Sequence, residues 1–353
     1  YHMDAEAVKI LLDAGAKRDL PDRFGRTPLD LAREVFPRSD VLRALELPVP
    51  PMPAGGVRAH IAPSRVVGVA PLSVFFQGEG TDGLADDDFV NAYYDWDFDT
   101  TGIDPEHPRK RAIGFNVGHV FREPGEYTVR MRVKDTAGET GETSITIKVL
   151  PFTGKTFHVA ADGDDEAPGT MEKPWKSFAK SLERAEPNTR VLFRRGDEFM
   201  LDSVDLTGKS GPVIVGAYTD ARRPSDKAPL LAGDGAINMG GTEDWRFVDL
   251  HIRGPFPNTM ESRVRACAKQ GCVICSAWKP GDPLGQLLFN AHSSRHALWY
   301  RLETEGVGRM GNGSRADAWC WADCHLHDFG TFGFGGSECM RVAYIGNRQR
   351  NMH

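Results

Sequence analysis

The chain has 353 residues, enough for two or three domains of ordinary size. Its formal charge of -6 and the lack of any lysine–arginine block give a nucleic-acid partner no electrostatic support, and no apolar run approaches the roughly 18 residues of a membrane span. Glycine (38) and proline (23) together favour turn-rich β architecture over helical bundles.

Residues 1–47 read as helical. Val8, Ile10, Leu11 and Leu12 form an apolar stripe, Gly15 suits a C-cap, and 30–44 carries a second helical pattern around Pro37. Thr27-Pro28-Leu29 fits a helix start, with a hydroxyl cap and proline at the first helical position. The words Leu11-Leu12-Asp13-Ala14-Gly15-Ala16 and Gly25-Arg26-Thr27-Pro28-Leu29-Asp30-Leu31-Ala32 resemble an ankyrin repeat. One repeat cannot bury its own apolar face, because about three are needed for stability. The segment is therefore expected either to follow further repeats or to dock onto a protein partner. No basic-then-apolar leader is visible, and the start at Tyr1 reads as a cut. Residues 48–57, with Pro48, Pro50, Pro51 and Pro53 running into Gly55 and Gly56, read as an extended linker.

Residues 58–150 hold short β runs between turn clusters. In Tyr94-Asp95-Trp96-Asp97-Phe98-Asp99 carboxylates alternate with aromatics, so a strand places Trp96 and Phe98 on one face and the three aspartates on the other. Pro124-Gly125 then turns into the alternation of Tyr127, Val129, Met131 and Val133, and 144–149 closes the span with another alternating run. Ninety residues of this kind suit an immunoglobulin-like β-sandwich. Together the motifs resemble PKD domains, a resemblance that implies an extracellular or cell-surface setting.

Residues 155–353 begin with the strand Thr156-Phe157-His158-Val159, a Pro168-Gly169-Thr170 loop, and the turn at Pro174-Trp175. A short helix at 179–184, the strand 190–194 and the Arg195-Gly196-Asp197 turn follow. This order resembles the start of right-handed parallel β-helix proteins of the pectate-lyase-like type, in which the helix covers the open end of the solenoid. Strands at 213–217, 245–250, 297–300 and 342–347 recur at spacings compatible with coils of roughly 20–30 residues. The chain stops at His353 without a capping element, so this end also reads as cut. The expected architecture is thus multidomain and mainly β: an ankyrin-like fragment, a PKD sandwich and an incomplete parallel β-helix.

Four residue sets could carry chemistry. Asp95, Asp97 and Asp99, with Asp104 and Glu106 close behind, offer hard oxygen ligands for Ca²⁺. Thr100 stands where an EF-hand loop needs glycine, and the competing reading is a solvated strand face backed by a core Trp96. All six cysteines fall after residue 266. Cys320 and Cys324 with His325 and His327 have the density of a zinc site, to which Cys272 and Cys275 could add a pair. The alternation of Trp319, Trp321 and Asp323 against Cys320, Ala322 and Cys324 instead fits reduced thiols stacked inside a coil, and this reading is preferred over a metal or a disulfide.

The third set is Asp317, Asp323, His325, His327, Asp328, Glu338, Arg341 and Arg348. The β-helix resemblance implies a polysaccharide bound along one face, cut either by elimination, with a base and Ca²⁺, or by hydrolysis between paired carboxylates. On that footing the catalytic candidates are Asp323, His327, Asp328 and Arg341, with Arg341 or His327 as base and Asp323 or Asp328 as metal ligand. Charged residues on a polar solenoid surface are the plain alternative. In the last set Trp299, Trp319 and Trp321, with Trp278 and Tyr300, could stack on sugar rings or anchor the core. Asn290, Asn312 and Asn347 read as turn residues. The expected function is a secreted or cell-surface carbohydrate-binding or polysaccharide-processing protein with a PKD spacer. The alternatives are a non-catalytic adhesin or fibre subunit and an ankyrin-led scaffold.

Overall fold

The computed structural model describes residues 5–17, 19–20, 27, 56–85, 89–255, 287–329 and 332–352. They belong to two compact units, Tyr1–Pro151 and Phe152–His353. Of the amino-terminal segment, helix Ala5–Asp13 is described, with Val8 buried and Ile10 and Leu11 exposed. The second helical pattern, the second ankyrin-like word apart from Thr27, and the linker up to residue 55 lie outside the described residues, as do Cys267, Cys272, Cys275 and Trp278.

In the first unit two sheets face one another. Strands Ala62–Pro63, Leu72–Gln77 and Asn116–Phe121 make the smaller. The larger runs Val67–Val69, Thr140–Leu150, Gly125–Lys134, Tyr93–Asp97, Arg111–Ile113. The period-two pattern decides what each strand buries: Tyr94, Trp96 and Phe98 are inside, packed with Phe76, Phe121 and Tyr127. Trp96 Nε1 donates to the Gly114 carbonyl at 2.8 Å, so its one polar atom is satisfied. The Tyr127 hydroxyl donates to the Glu123 carbonyl four residues back at 2.8 Å, a tyrosine corner of the kind that fixes strand entry in sandwiches.

The second unit is a parallel β-helix with three faces. The first face stacks Lys155–Val159, Thr189–Arg194, Ser210–Tyr218, Glu243–Val248, Leu298–Tyr300, Asp317–Ala322 and Met340–Ile345. The second stacks Glu198–Met200, Leu230–Ala232, His251–Arg253, Glu303–Glu305, His325–Phe329 and Arg348–Met352. The third stacks Val204–Asp205, Ile237–Asn238, Leu287–Asn290, Arg309–Ser314 and Phe332–Ser337. Every pairing between these strands is parallel. Helix Phe178–Glu183 contributes Phe178 and Leu182 to the solenoid core beside Val191 and Phe193. Residues 256–286 lie outside the described residues, and register resumes beyond them with Ile237 opposite Phe289.

Because the coils are in register, each position meets its equivalent one coil on. Val191, Val215, Phe247, Trp299 and Trp321 form one inward column of the first face. The Trp299 and Trp321 rings lie 4.1 Å apart and 6° from parallel. All three candidate sugar platforms are interior: Trp299 and Trp321 are fully buried, and Trp319 is 2% exposed. The expectation of sugar stacking is therefore corrected, since an inward-facing indole has no surface to offer a glycan. The facing strand makes room for them. A β-carbon on Gly313 would lie 2.3 Å from the Trp319 ring, so only glycine fits there. Trp321→Ala is expected to cost about 3–5 kcal/mol in urea unfolding followed by circular dichroism; an unchanged midpoint would contradict the interior assignment.

Candidate functional site

Three corners separate the faces, and each is turned by residues with positive φ. Between the first and second faces these are Gly196, Asp249, Arg301, Asp323 and Gly346, with φ from 53° to 81°. Aspartate tolerates this conformation better than most residues, which gives several charged positions a structural reason. Asp323 is one of them, its N–H donating to the Ile345 carbonyl. Asp328, at φ 56°, stands beside Gly306 on the coil before it. Arg341, at φ 51°, is on the first face, where its guanidinium clamps Asp317 of the preceding coil, one contact being 2.7 Å. Of the four catalytic candidates, His327 and Asp328 are brought together, Asp323 sits at the corner leading into their strand, and Arg341 belongs to a different face.

The outward positions of the second face hold the densest chemistry among the described residues. Register aligns His251, Glu303, His325 and Arg348 in one column, and Arg253, Glu305, His327 and Arg350 in the next. Ile252, Thr304 and Leu326, between them, are fully buried and anchor the strands. Successive strands stand about 4.8 Å apart, so each charged pair touches the next. Glu305 receives Arg253 Nε at 2.6 Å and stands 3.2 Å from His251 Nε2. His327 Nδ1 lies 2.8 Å from Asp328 Oδ2, and its Nε2 3.4 Å from Glu303 Oε1. His325 Nδ1 is 3.8 Å from the same Glu303 oxygen. The two imidazole rings are 4.7 Å apart. His327 is mostly buried, while Glu303, Arg253, Arg348 and Arg350 reach solvent.

Burial pushes the Glu305 carboxyl up, but the hydrogen bond and charge of Arg253, with His251 and His327, outweigh it and leave the group below its ordinary value. Burial, then the neighbouring His327 and Arg350, hold His325 below the usual imidazole range, so it is neutral in neutral solution. The thiols next door are excluded from this chemistry. Cys320, Cys324 and Cys339 are unbridged; Cys320 and Cys324 are buried, and burial pushes the Cys324 thiol up to about 12. Its sulfur points at the Trp299 and Ala322 carbonyls. Among the described residues the metal-ligating atoms that converge are those of Glu303, His325 and His327, all within 4.8 Å of one another.

The aspartates of the first unit are arranged differently. Asp95 faces Arg111 at 3.8 Å and Asp97 faces Arg130 at 3.5 Å. Asp99 accepts from the Thr101 hydroxyl and from the Ile103 and Asp104 N–H groups, at 2.8 to 3.0 Å, and so ties down the turn that follows its strand. The asparagines are structural: Asn347 accepts from the Cys324 N–H and donates to the Trp321 carbonyl, and Asn290 stacks on Asn238 across coils.

His325, His327, Asp328 and Arg348 are among the candidates the sequence offers; Glu303, Glu305, His251, Arg253 and Arg350 are not. A signal was present: Leu250-His-Ile-Arg253, Leu302-Glu-Thr-Glu305 and Cys324-His-Leu-His327 repeat one word in which buried residues alternate with ionisable ones, and Asn347-Arg-Gln-Arg350 follows in the same register.

Residues 58–149 match the PKD domain family and are a PKD domain. A structure described as a carbohydrate-binding module of the β-sandwich superfamily is similar at 22% identity and a TM-score of 0.23, covering 34% of this chain and 42% of its own. A rhamnogalacturonan lyase is similar at 12% identity and a TM-score of 0.35, covering 57% and 63%. The chain thus spans less than two thirds of either. No curated protein matches it.

Glu305 also makes a prediction about acid stability. A carboxyl lowered on folding contributes stability above its unfolded value, about 4.3, and loses it as the pH falls through the folded value. Glu305→Gln is expected to flatten the fall of the thermal midpoint across that acid window; an unaltered slope would show that the Arg253 pair does not couple to folding.

Proposed function

We propose that this is a secreted or cell-surface polysaccharide-processing protein, with the PKD domain as a spacer and the second face of the β-helix as the glycan site. The observation that carries it is the outward ladder of His251, Arg253, Glu303, Glu305, His325, His327, Arg348 and Arg350, drawn from four coils onto one solvent-facing strip. Exposed arginines at the strip's later coils suit the carboxylates of a uronate-containing chain, which planar guanidinium groups bind in bidentate fashion.

Elimination fits the residues better than hydrolysis. Hydrolysis between paired carboxylates needs one of them held protonated, whereas Glu305 is shifted the opposite way. Elimination needs a base at the carbon beside the uronate carboxylate, and cations to hold the charge that builds on that carboxylate. His327, fixed by Asp328 and flanked by His325 and Glu303, forms the proton-handling centre. Arg348 and Arg350 supply the cations. The electrons of the broken C–H bond form a C=C bond, the neighbouring glycosidic C–O bond breaks, and the departing oxygen takes a proton from solvent. The product is an unsaturated uronate that absorbs in the ultraviolet.

The test is a panel of uronate polysaccharides read by ultraviolet absorbance. Turnover is expected on at least one, falling by about 10²-fold or more in His327→Ala. Arg348→Ala with Arg350→Ala is expected to raise KM, with binding that weakens in salt. Neither turnover nor glycan binding on any member of the panel would overturn the proposal and leave the solenoid a structural element.

A further inference from the structure

We infer that Glu303, His325 and His327 form a binding site for a divalent transition-metal ion, zinc being the best match. Three features of the geometry point there. The donor atoms come from two adjacent coils and converge within 4.8 Å. Glu303 Oε1 lies 3.4 Å from His327 Nε2 and 3.8 Å from His325 Nδ1. Two ligands on a tetrahedral zinc ion, with bonds of about 2.0–2.2 Å, are about 3.3–3.6 Å apart, so the site needs little more than side-chain adjustment to close.

The third feature is the carboxylate behind His327. Asp328 Oδ2 lies 2.8 Å from His327 Nδ1, and the other ring nitrogen, Nε2, is the one turned toward Glu303, at 3.4 Å. An ion held there reaches all three groups, including His325. Asp328 then has the place that a carboxylate behind a ligating histidine commonly takes, fixing the tautomer and raising the basicity of the coordinating nitrogen.

Imidazole nitrogens with one carboxylate select zinc or a neighbouring transition metal over calcium, which takes six to eight oxygens. Two histidines and one glutamate leave a fourth position open for water or substrate. Arg348 and Arg350, one coil on, stand beside the two histidines and can hold an anionic group near that position. What the ion would act on rests on the glycan proposal above; whether it binds does not. An ion on Nε2 would take the lone pair of His327, and the base role given to that residue would pass to water held at the open position.

The experiment is calorimetric titration of Zn²⁺ into the chelator-treated full chain, without any glycan, paired with Co²⁺ as a visible-spectrum probe. One ion per chain is expected, with the intense d–d bands of tetrahedral cobalt. Glu303→Gln, His325→Ala and His327→Ala should each abolish the site while leaving the circular dichroism unchanged, since all three side chains project outward. Asp328→Asn should weaken it about 10- to 100-fold. His292→Ala, at an exposed imidazole hydrogen-bonded to Ser314 on another corner, should leave it intact. Failure to bind, or binding that survives all three ligand substitutions, overturns the inference. Zinc binding without turnover on any uronate would sink the glycan proposal alone, and turnover in chelator-treated protein that binds no zinc would sink the metal site alone.

Discussion

The solenoid depends on backbone ladders that run parallel and in register from coil to coil. At about 4.8 Å per step, no side chain can be chosen without regard to the one above and below it. Inside, the constraint is met by like on like: Trp299 on Trp321, with Phe247 preceding them in the same column. The two flat indole rings stack in parallel and keep contact from one coil to the next. Outside, like on like would fail for charges, and the second face instead places Glu303 and Glu305 between His251 and Arg253 on one side and His325 and His327 on the other. The candidate site is a consequence of this stacking. Residues 251–253, 303–305 and 325–328 are far apart in the chain and adjacent only because the register holds.

The corners obey a second constraint, that of turning a coil in very few residues. A left-handed backbone at each corner does this, and glycine, aspartate, serine and even arginine occupy the positions. Charge at a corner is thus not evidence of chemistry. Asp249 and Arg301, stacked there, pair at 2.7 Å through two hydrogen bonds, and Arg341 pairs with Asp317 in the same manner. The Arg195-Gly196-Asp197 turn makes the same point, because Asp197 is buried against Arg194.

Legibility in the sequence followed the range of the physics involved. The PKD sandwich could be read because its signals are local: alternation in 94–99 depends on strand period alone, and Trp96 and Phe98 are inside as that period requires. The short helix near 179–184 and the strands at 213–217 and 245–250 were legible for the same reason. The tryptophans were not, because a bulky aromatic in a solenoid strand can face either way and only the coil register decides. The ladder of the second face was harder still. Its members are short strands of three to five residues, and the sequence between Arg253 and Leu287 includes the long stretch 256–286, which hides the repeat spacing.

Two domains with different duties emerge: a sandwich held by local alternation, and a solenoid whose polar strip gathers histidine, glutamate and arginine from successive coils. The central claim is that this strip is where an acidic glycan meets the protein. Hydrogen–deuterium exchange with and without a uronate oligosaccharide tests it most directly. Protection confined to 251–253, 303–305, 325–329 and 348–352 is the result expected. Protection in the PKD domain alone, or none in those four segments at saturating glycan, would contradict it.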